Sequence, residues 1–118
     1  MRQTFTIEGR FCSLNEFYRM NAWDQNRVKA QSDARVAAAA KAARIRPAKK
    51  RIRYHVTWVE ENRRRDLDNV AFAKKFIQDG LVKAGIIKND THHEIAGFSD
   101  GFDYDSRHPH VIVTIEEE

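Results

Sequence analysis

The sequence has little of what disulfide-bonded, zinc-binding or membrane-spanning proteins require. It contains one cysteine, Cys12, so an internal disulfide and a cysteine-rich zinc site are both excluded. No apolar run approaches the length of a membrane span, and no signal peptide is visible at the start of the chain. Internal repeats and domain linkers are lacking as well. We therefore expect a soluble, cytoplasmic protein with a single domain over residues 1–118.

Charge, by contrast, is abundant and unevenly distributed. Charged residues make up 32% of the chain and hydrophobic residues 42%, so the chain can build a core beneath a strongly charged surface. The formal net charge of +4 favours a polyanionic partner. The middle of the chain is basic, whereas Glu116 to Glu118 close it. The basic positions there are Lys41, Arg44, Arg46, Lys49, Lys50, Arg51, Arg53, Arg63, Arg64 and Arg65.

The first half of the chain predicts a strand followed by a helix. Thr4 to Ile7 alternates polar and apolar residues, as a half-buried strand does. Residues 10–31 mix polar and aromatic side chains, which we interpret as a short helical turn and a mobile loop. Ser32 or Asp33 can cap an alanine-rich helix, and Pro47 would stop that helix.

The second half predicts strands on both sides of a second helix. The apolar residues from Ile52 to Trp58 share one strand face, and residues 60–62 would form the exit from that strand. A helix with one apolar stripe is predicted from Asp68 or Asn69 to Gly85. Further strand segments are predicted at residues 95–98, 102–104 and 111–115. The expected fold class is α+β, with a mixed β-sheet and two main helices.

Three carboxylates carry the strongest chemical signal. Asp66 and Asp68 lie at a predicted strand-to-helix junction, where extended backbone would point both side chains the same way. Two charges about 4 Å apart repel by about 4 kcal/mol at an effective dielectric of about 20, and Asp90 would add to that. A bound cation removes the repulsion, and hard oxygen ligands favour Mg²⁺ or Mn²⁺. The competing structural interpretation makes Asp66 a turn residue, Asp68 a helix N-cap and Asp90 a loop residue.

Four segments together are similar to one nuclease family. The central segment runs Arg63-Arg64-Arg65-Asp66-Leu67-Asp68-Asn69, and Ala84-Gly85-Ile86-Ile87-Lys88-Asn89-Asp90 follows the helix. Ser13 to Phe17 and Gly97 to Asp100 extend the likeness toward both ends of the chain. On these segments the chain resembles the RusA family of Holliday junction resolvases, most closely its phage and prophage branch.

This resemblance implies an activity, a metal and an assembly. Members of the family are Mg²⁺-dependent homodimeric endonucleases that resolve four-way DNA junctions by paired symmetric nicks, in DNA recombination and repair. The essential aspartates of the family match Asp66, Asp68 and Asp90, which would hold the metal. Asp79 matches an acidic position in the family's helix and, with Asn69, would support the site.

The essential lysine of the family falls on Lys74 or Lys75, because this chain has additional residues between Asp68 and Asp90. Helical geometry favours Lys75, which lies four residues before Asp79 and on the same face as Asp68. Lys74 is rotated by about 100° from that face and would contact DNA backbone or lie along the packed edge. We therefore expect Lys75 to be the catalytic lysine.

The basic residues are the predicted DNA-binding residues. Arginine and lysine bind backbone phosphates without regard to base sequence, which suits a protein that recognises DNA structure. The predicted set is Arg63, Arg64, Arg65, Lys74, Lys49, Lys50, Arg51 and Arg53.

Two other functions remain open on the sequence. In one, the protein is a non-catalytic DNA-binding module whose aspartates are helix caps. In the other, it is a metal-dependent nuclease that cuts flaps or replication forks. Either nuclease interpretation is compatible with a homodimer, and Phe72 and Phe76 fall off the apolar stripe of their helix, which favours packing against a second subunit.

Overall fold

The computed structural model describes residues 1–118 and contains four strands and four helices. The strands are β1 (Arg2–Glu8), β2 (Ile52–Glu60), β3 (Ile95–Tyr104) and β4 (His110–Glu117). The helices are α1 (Leu14–Tyr18), α2 (Ala22–Ala42), α3 (Leu67–Ala71) and α4 (Lys74–Lys83). None of the helices combines the length and the apolar composition that crossing a lipid bilayer requires.

The four strands form one mixed sheet in the order β1-β4-β2-β3. β4 pairs antiparallel with both β1 and β2, whereas β2 and β3 are parallel. Parallel neighbours need a crossover connection, and the segment that contains α3 and α4 supplies it. With α2 and α4 as the two longest helices, this arrangement confirms the expected α+β fold.

β2 lies inside the sheet and contributes most to the core. Ile52, Tyr54, Val56 and Trp58 alternate with more exposed residues, and each is at most 2% exposed. This alternation confirms the predicted strand face. Glu60 continues the same alternation within the strand and is 5% exposed, so its placement in an exit loop was wrong.

The segment before Ser32 is mostly helical, which the sequence did not predict. α2 begins at Ala22, where Asn21 Oδ1 accepts a hydrogen bond from Asp24 N at 2.8 Å. Ser32 is therefore inside the helix and buried, not its cap. The helix also ends at Ala42, before it reaches Pro47, and Arg44 follows with a positive φ of 57°. The loop expected over residues 10–31 is reduced to short connections around α1.

The single helix predicted from Asp68 to Gly85 is divided into α3 and α4. At the break, the N–H of Ala73 bonds to the carbonyl of Val70, which is a tighter turn than an α-helix makes. The Phe72 ring packs there against Phe17 of α1, with ring centroids 5.1 Å apart. Phe76 is 1% exposed in the core, so the expectation that it faces a second subunit was wrong.

β3 is one continuous strand and not the two pieces that its glycines suggested. Gly97 and Gly101 are paired with Arg53 and Thr57 on β2. A Cβ at Gly97 would lie 2.5 Å from Arg53 Nη1, and one at Gly101 would lie 3.0 Å from His55 Nε2. The glycines therefore make room for the β2 side chains on the sheet face opposite the helices.

Candidate active site

Lys75 joins two of the predicted carboxylates at the start of α4. Its Nζ lies 3.1 Å from Asp90 Oδ2 and 3.2 Å from Asp79 Oδ1. The hydrogen bond to Asp90 raises the pKa of Lys75 above its ordinary value, and the same bond lowers the pKa of Asp90. The spacing of Lys75 and Asp79 on the helix predicted their contact, and the structure adds Asp90, with Lys75 as the cation between the two carboxylates.

Lys74 has a different set of partners. Its ammonium bonds to Asp100 of β3 and lies 4.2 Å from the centre of the Phe98 ring. The other oxygen of Asp100 accepts a hydrogen bond from Trp58 Nε1 at 2.9 Å. Because adjacent helical residues are rotated by about 100°, Lys74 contacts the sheet, whereas Lys75 contacts the loop that carries Asp90. Asp100 belonged to the quoted family segment, but its pairing with Lys74 was not foreseen.

Asp66 and Asp68 lie at the N-terminus of α3. Asp66 occupies the N-cap position, but its side chain makes no capping hydrogen bond. Asp68 is in the first turn, where its Oδ1 accepts a bond from the backbone N–H of Asn69 at 3.0 Å. Asn69 in turn accepts a bond from the backbone N–H of Asn15, which joins α3 to α1. The structural interpretation of Asp68 as the N-cap was therefore wrong, and both carboxylates are exposed to solvent.

The donor chemistry of Asp66, Asp68 and Asp90 fits a hard divalent cation. All three offer carboxylate oxygens, and Asp66 makes no capping bond that a metal would displace. Their placement is less complete, because no group of three or more His, Cys, Asp or Glu side chains is gathered closely enough to hold a metal ion. Asp90 contacts Lys75 instead. The residue types thus suit Mg²⁺ or Mn²⁺ without forming a finished ligand set.

Arg65 belongs to an ion-pair group around one buried carboxylate, which we call the Glu60 cluster: Glu60, Arg10 and Arg65. Glu60 Oε1 lies 2.8 Å from Arg10 Nη2 and 3.6 Å from Arg65 Nη1. Arg65 also donates to the Phe11 carbonyl at 2.9 Å and to Glu16 at 2.5 Å. Arg65 therefore holds the segment before α1 against the end of β2. Strand alternation from Trp58 to Glu60 could have predicted the buried carboxylate.

Arg63 and Arg64, which precede Arg65, make fewer side-chain contacts with the rest of the protein. The Arg63 guanidinium stacks over the Tyr104 ring at 4.2 Å from its centre. Arg64 is exposed, and the ion pairs of this segment involve Arg65 instead. Among the three consecutive arginines Arg63, Arg64 and Arg65, Arg64 is the one most open to a phosphate.

The basic residues before β2 and at its start lie on two different faces of the molecule. Lys49, Lys50 and Arg51 line a cavity of about 240 Å³, together with Lys88 and His93 from the loop that carries Asp90. Arg53 lies on the open face of the sheet, over Gly97. We call the first group the basic cavity. Lys88 and His93 were not among the predicted DNA-binding residues, because their proximity to Lys49 depends on the packing of two distant loops.

Comparison with known protein families identifies the chain. A search of curated proteins finds no match. The family model described as endodeoxyribonuclease RusA matches residues 15–116, which includes every predicted site residue and all elements except β1, the first residue of α1 and the last residue of β4. This coverage confirms the resemblance that the central segment suggested. The chain therefore belongs to the RusA family of endodeoxyribonucleases.

Proposed function

We propose that the protein is a Mg²⁺-dependent crossover junction endodeoxyribonuclease, which resolves Holliday junctions by paired symmetric nicks. The observation that carries this proposal is the contact between Lys75 and Asp90 in a chain of this family. The contact brings one of the two candidates for the family's lysine beside Asp90, although a loop and most of α4 separate the two residues in sequence. It also favours Lys75 over Lys74 as the catalytic lysine.

Asp66, Asp68 and Asp90 are the residues that would hold Mg²⁺, with Mn²⁺ as a possible substitute. When bound, the metal supplies an activated water and stabilises charge on the phosphoryl oxygens. The hydrogen bond to Asp90 and the contact with Asp79 both raise the pKa of Lys75 above its ordinary value, which favours the charged ammonium. Lys75 is therefore a donor to the developing negative charge on phosphate and not a general base.

The basic cavity and the exposed arginines provide the phosphate contacts. Lys88 and His93 flank Asp90 in sequence, so a phosphate in the cavity would belong to the same DNA segment that reaches Asp90. Arg63 and Arg64 lie three and two residues before Asp66, the first site aspartate, and would contact backbone phosphates near it. These contacts read backbone geometry, which suits a substrate defined by its branch.

We also propose a C₂ homodimer, because a four-way junction has two-fold symmetry and paired nicks need two active sites. The substrate would be junction DNA of bacterial or prophage origin in the cytoplasm, formed during recombination and repair. Sedimentation analysis should give a dimer at the concentrations that cut a junction in two symmetric places. A monomer under those conditions would contradict the paired-nick mechanism.

A cleavage assay with matched substrates tests the main proposal. A synthetic four-way junction, a flap, a replication fork and a linear duplex of the same sequence would each be incubated with Mg²⁺ and with EDTA. Symmetric cleavage of the junction alone, abolished by EDTA, is the expected result. Faster cutting of flaps or forks would favour the alternative nuclease, and tight junction binding without cleavage would favour a non-catalytic binding module.

A further inference from the structure

Helices α2 and α4 approach very closely beside the candidate active site. A Cβ at Gly80 would lie 2.3 Å from the Cβ of Val36, so only glycine permits this separation of the helices. Val36 is fully buried at the contact. The close approach places the α2 residues one and two turns before Val36 next to Asp79, which immediately precedes Gly80 on α4.

Two side chains of α2, Lys29 and Asp33, extend the contacts of Lys75 into that helix. We call the whole group the Lys75 cluster: Lys29, Asp33, Lys75, Asp79 and Asp90. Lys29 Nζ lies 3.2 Å from Asp79 Oδ2 and 3.7 Å from Asp33 Oδ2. The other oxygen of Asp79 faces Lys75 at 3.2 Å. Asp79 is therefore shared between two ammonium groups, one from each helix, and each ammonium has a second carboxylate partner.

The two inner carboxylates of this cluster are poorly satisfied. The side chains of Asp33 and Asp79 are only 13% and 17% exposed. Asp33 Oδ1 is buried without a hydrogen-bond donor, and Asp79 Oδ2 is within ion-pair distance of Lys29 without being aligned as an acceptor. Burial raises the pKa of Asp33, and the nearby Asp79 charge raises it further. Two like charges are thus held close together, and Lys29 is the cation that contacts both.

We propose that Lys29 and Asp33 are positioning residues, which determine how strongly the Lys75 ammonium contacts Asp79 and how strongly it contacts Asp90. With Lys29 present, the Asp33–Asp79 pair is partly neutralised and Lys75 keeps its contact with Asp90. Without Lys29, two neighbouring carboxylates attract Lys75 toward α2 and away from the reacting phosphate. This inference rests on the proposed role of Lys75 and adds two residues on a different helix to the site.

The first test replaces Lys29 by methionine, which keeps the aliphatic chain and removes the charge. The single-turnover rate of junction cleavage at saturating enzyme should fall about tenfold, less than the loss expected from removing a transition-state donor outright. Arg27→Met is the matched control, since Arg27 is an exposed cation on the same helix that pairs only with Asp24. It should leave the rate within about twofold, because its partner Asp24 is 34% exposed and is not a partner of Lys75, whereas Asp79 is 17% exposed and contacts Lys75.

Charge rebalancing distinguishes positioning from a purely structural role. If Lys29 acts by neutralising the carboxylate pair, adding Asp33→Asn to Lys29→Met should restore most of the rate. Lys29→Met should also have no further effect on an enzyme that already carries Lys75→Ala. A rate that is not restored by Asp33→Asn, or an equal loss in the Lys75→Ala background, would overturn the proposal.

A readout that does not depend on cleavage separates this proposal from the proposed function. In full-length protein labelled with ¹⁵N-lysine, the Lys75 ammonium resonance should shift in Lys29→Met and return in the double variant with Asp33→Asn. A Lys75 resonance that is unchanged by Lys29→Met contradicts the coupling, whether or not the wild type cuts DNA. If the resonance shifts and the wild type cuts no branched DNA, the coupling stands and the resolvase function fails.

Discussion

The Glu60 cluster and the Lys75 cluster both combine cationic side chains with carboxylates, but they differ in how many of their polar atoms have hydrogen-bond partners. Glu60 is contacted by both Arg10 and Arg65, whose remaining donors reach Glu61, Glu16 and the Phe11 carbonyl. In the Lys75 cluster, Lys29 and Lys75 each contact two carboxylates, and Asp33 Oδ1 has no hydrogen-bond donor. A saturated cluster fixes the chain in one arrangement, whereas an unsaturated one can exchange partners when substrate arrives. From this difference we propose a structural role for the Glu60 cluster and a functional role for the Lys75 cluster.

The largest expected effect separates function from stability at the predicted metal ligands. Asp66→Asn, Asp68→Asn and Asp90→Asn should each lower junction cleavage by more than about 10³-fold, because metal stabilisation of the transition state amounts to several kcal/mol. Junction binding should be unchanged or tighter, since each change removes a negative charge near phosphate. Cleavage rates and binding titrations would be measured on the same junction. A variant that cuts at the wild-type rate would remove that aspartate from the site.

Lys75→Ala should have the next largest effect. Loss of one transition-state donor typically costs about 10²-fold, and the change should appear in the single-turnover rate with little change in junction affinity. Lys83→Ala is the matched control, because Lys83 is an exposed cation at the other end of α4. If Lys74→Ala proved slower than Lys75→Ala, the family lysine would have to be reassigned to Lys74, and its contact with Asp100 would become the catalytic one.

Glu60→Gln tests the Glu60 cluster, where we expect an effect on stability and not on cleavage. Removing the carboxylate charge leaves Arg10 and Arg65 without their shared buried partner and should lower the free energy of unfolding by about 2 kcal/mol. Glu61→Gln is the control, since the Glu61 side chain is 43% exposed and its pair with Arg10 should contribute less than about 1 kcal/mol. Urea unfolding would measure both variants. An equal loss in the two would show that burial of Glu60 adds nothing.

The features predicted well from the sequence are those set by local periodicity. The alternation from Ile52 to Trp58 predicts β2 and its buried face, because strand burial repeats every two residues. The spacing of Lys75 and Asp79 likewise predicts their contact, because both lie on one continuous helix. These relations need no knowledge of what packs against the element.

The features that were missed depend on partners distant in sequence. The first half of α2 has no clear apolar stripe to reveal it, and its start depends on the Asn21 cap. The break between α3 and α4 coincides with packing of Phe72 against Phe17, which the helical pattern does not contain. Lys29 could not be placed in the site because its contact with Asp79 depends on the close approach of α2 and α4. Spacing along the chain therefore predicted the contact of Lys75 with Asp79 but not the contact of Lys29 with Asp79.

The smallest expected effect concerns DNA-backbone contacts, where Arg64 is an unpaired cation and Lys74 is a cation paired with Asp100. Arg64 is exposed, so Arg64→Ala should weaken junction binding and reduce the slope of log affinity against log salt by about 1, the value for one phosphate contact. Lys74 was also predicted to contact DNA, but its charge is balanced by Asp100 and its side chain is only 16% exposed. Lys74→Ala should therefore change the slope by less than half as much. Adding Asp100→Asn to Lys74→Ala should restore part of the lost binding, because it removes an uncompensated negative charge from the protein surface that faces DNA. Binding titrations from low to moderate salt would measure all three. A full unit of slope lost on Lys74→Ala would mean that Lys74 leaves Asp100 for phosphate, and would extend partner exchange from Lys75 to its neighbour.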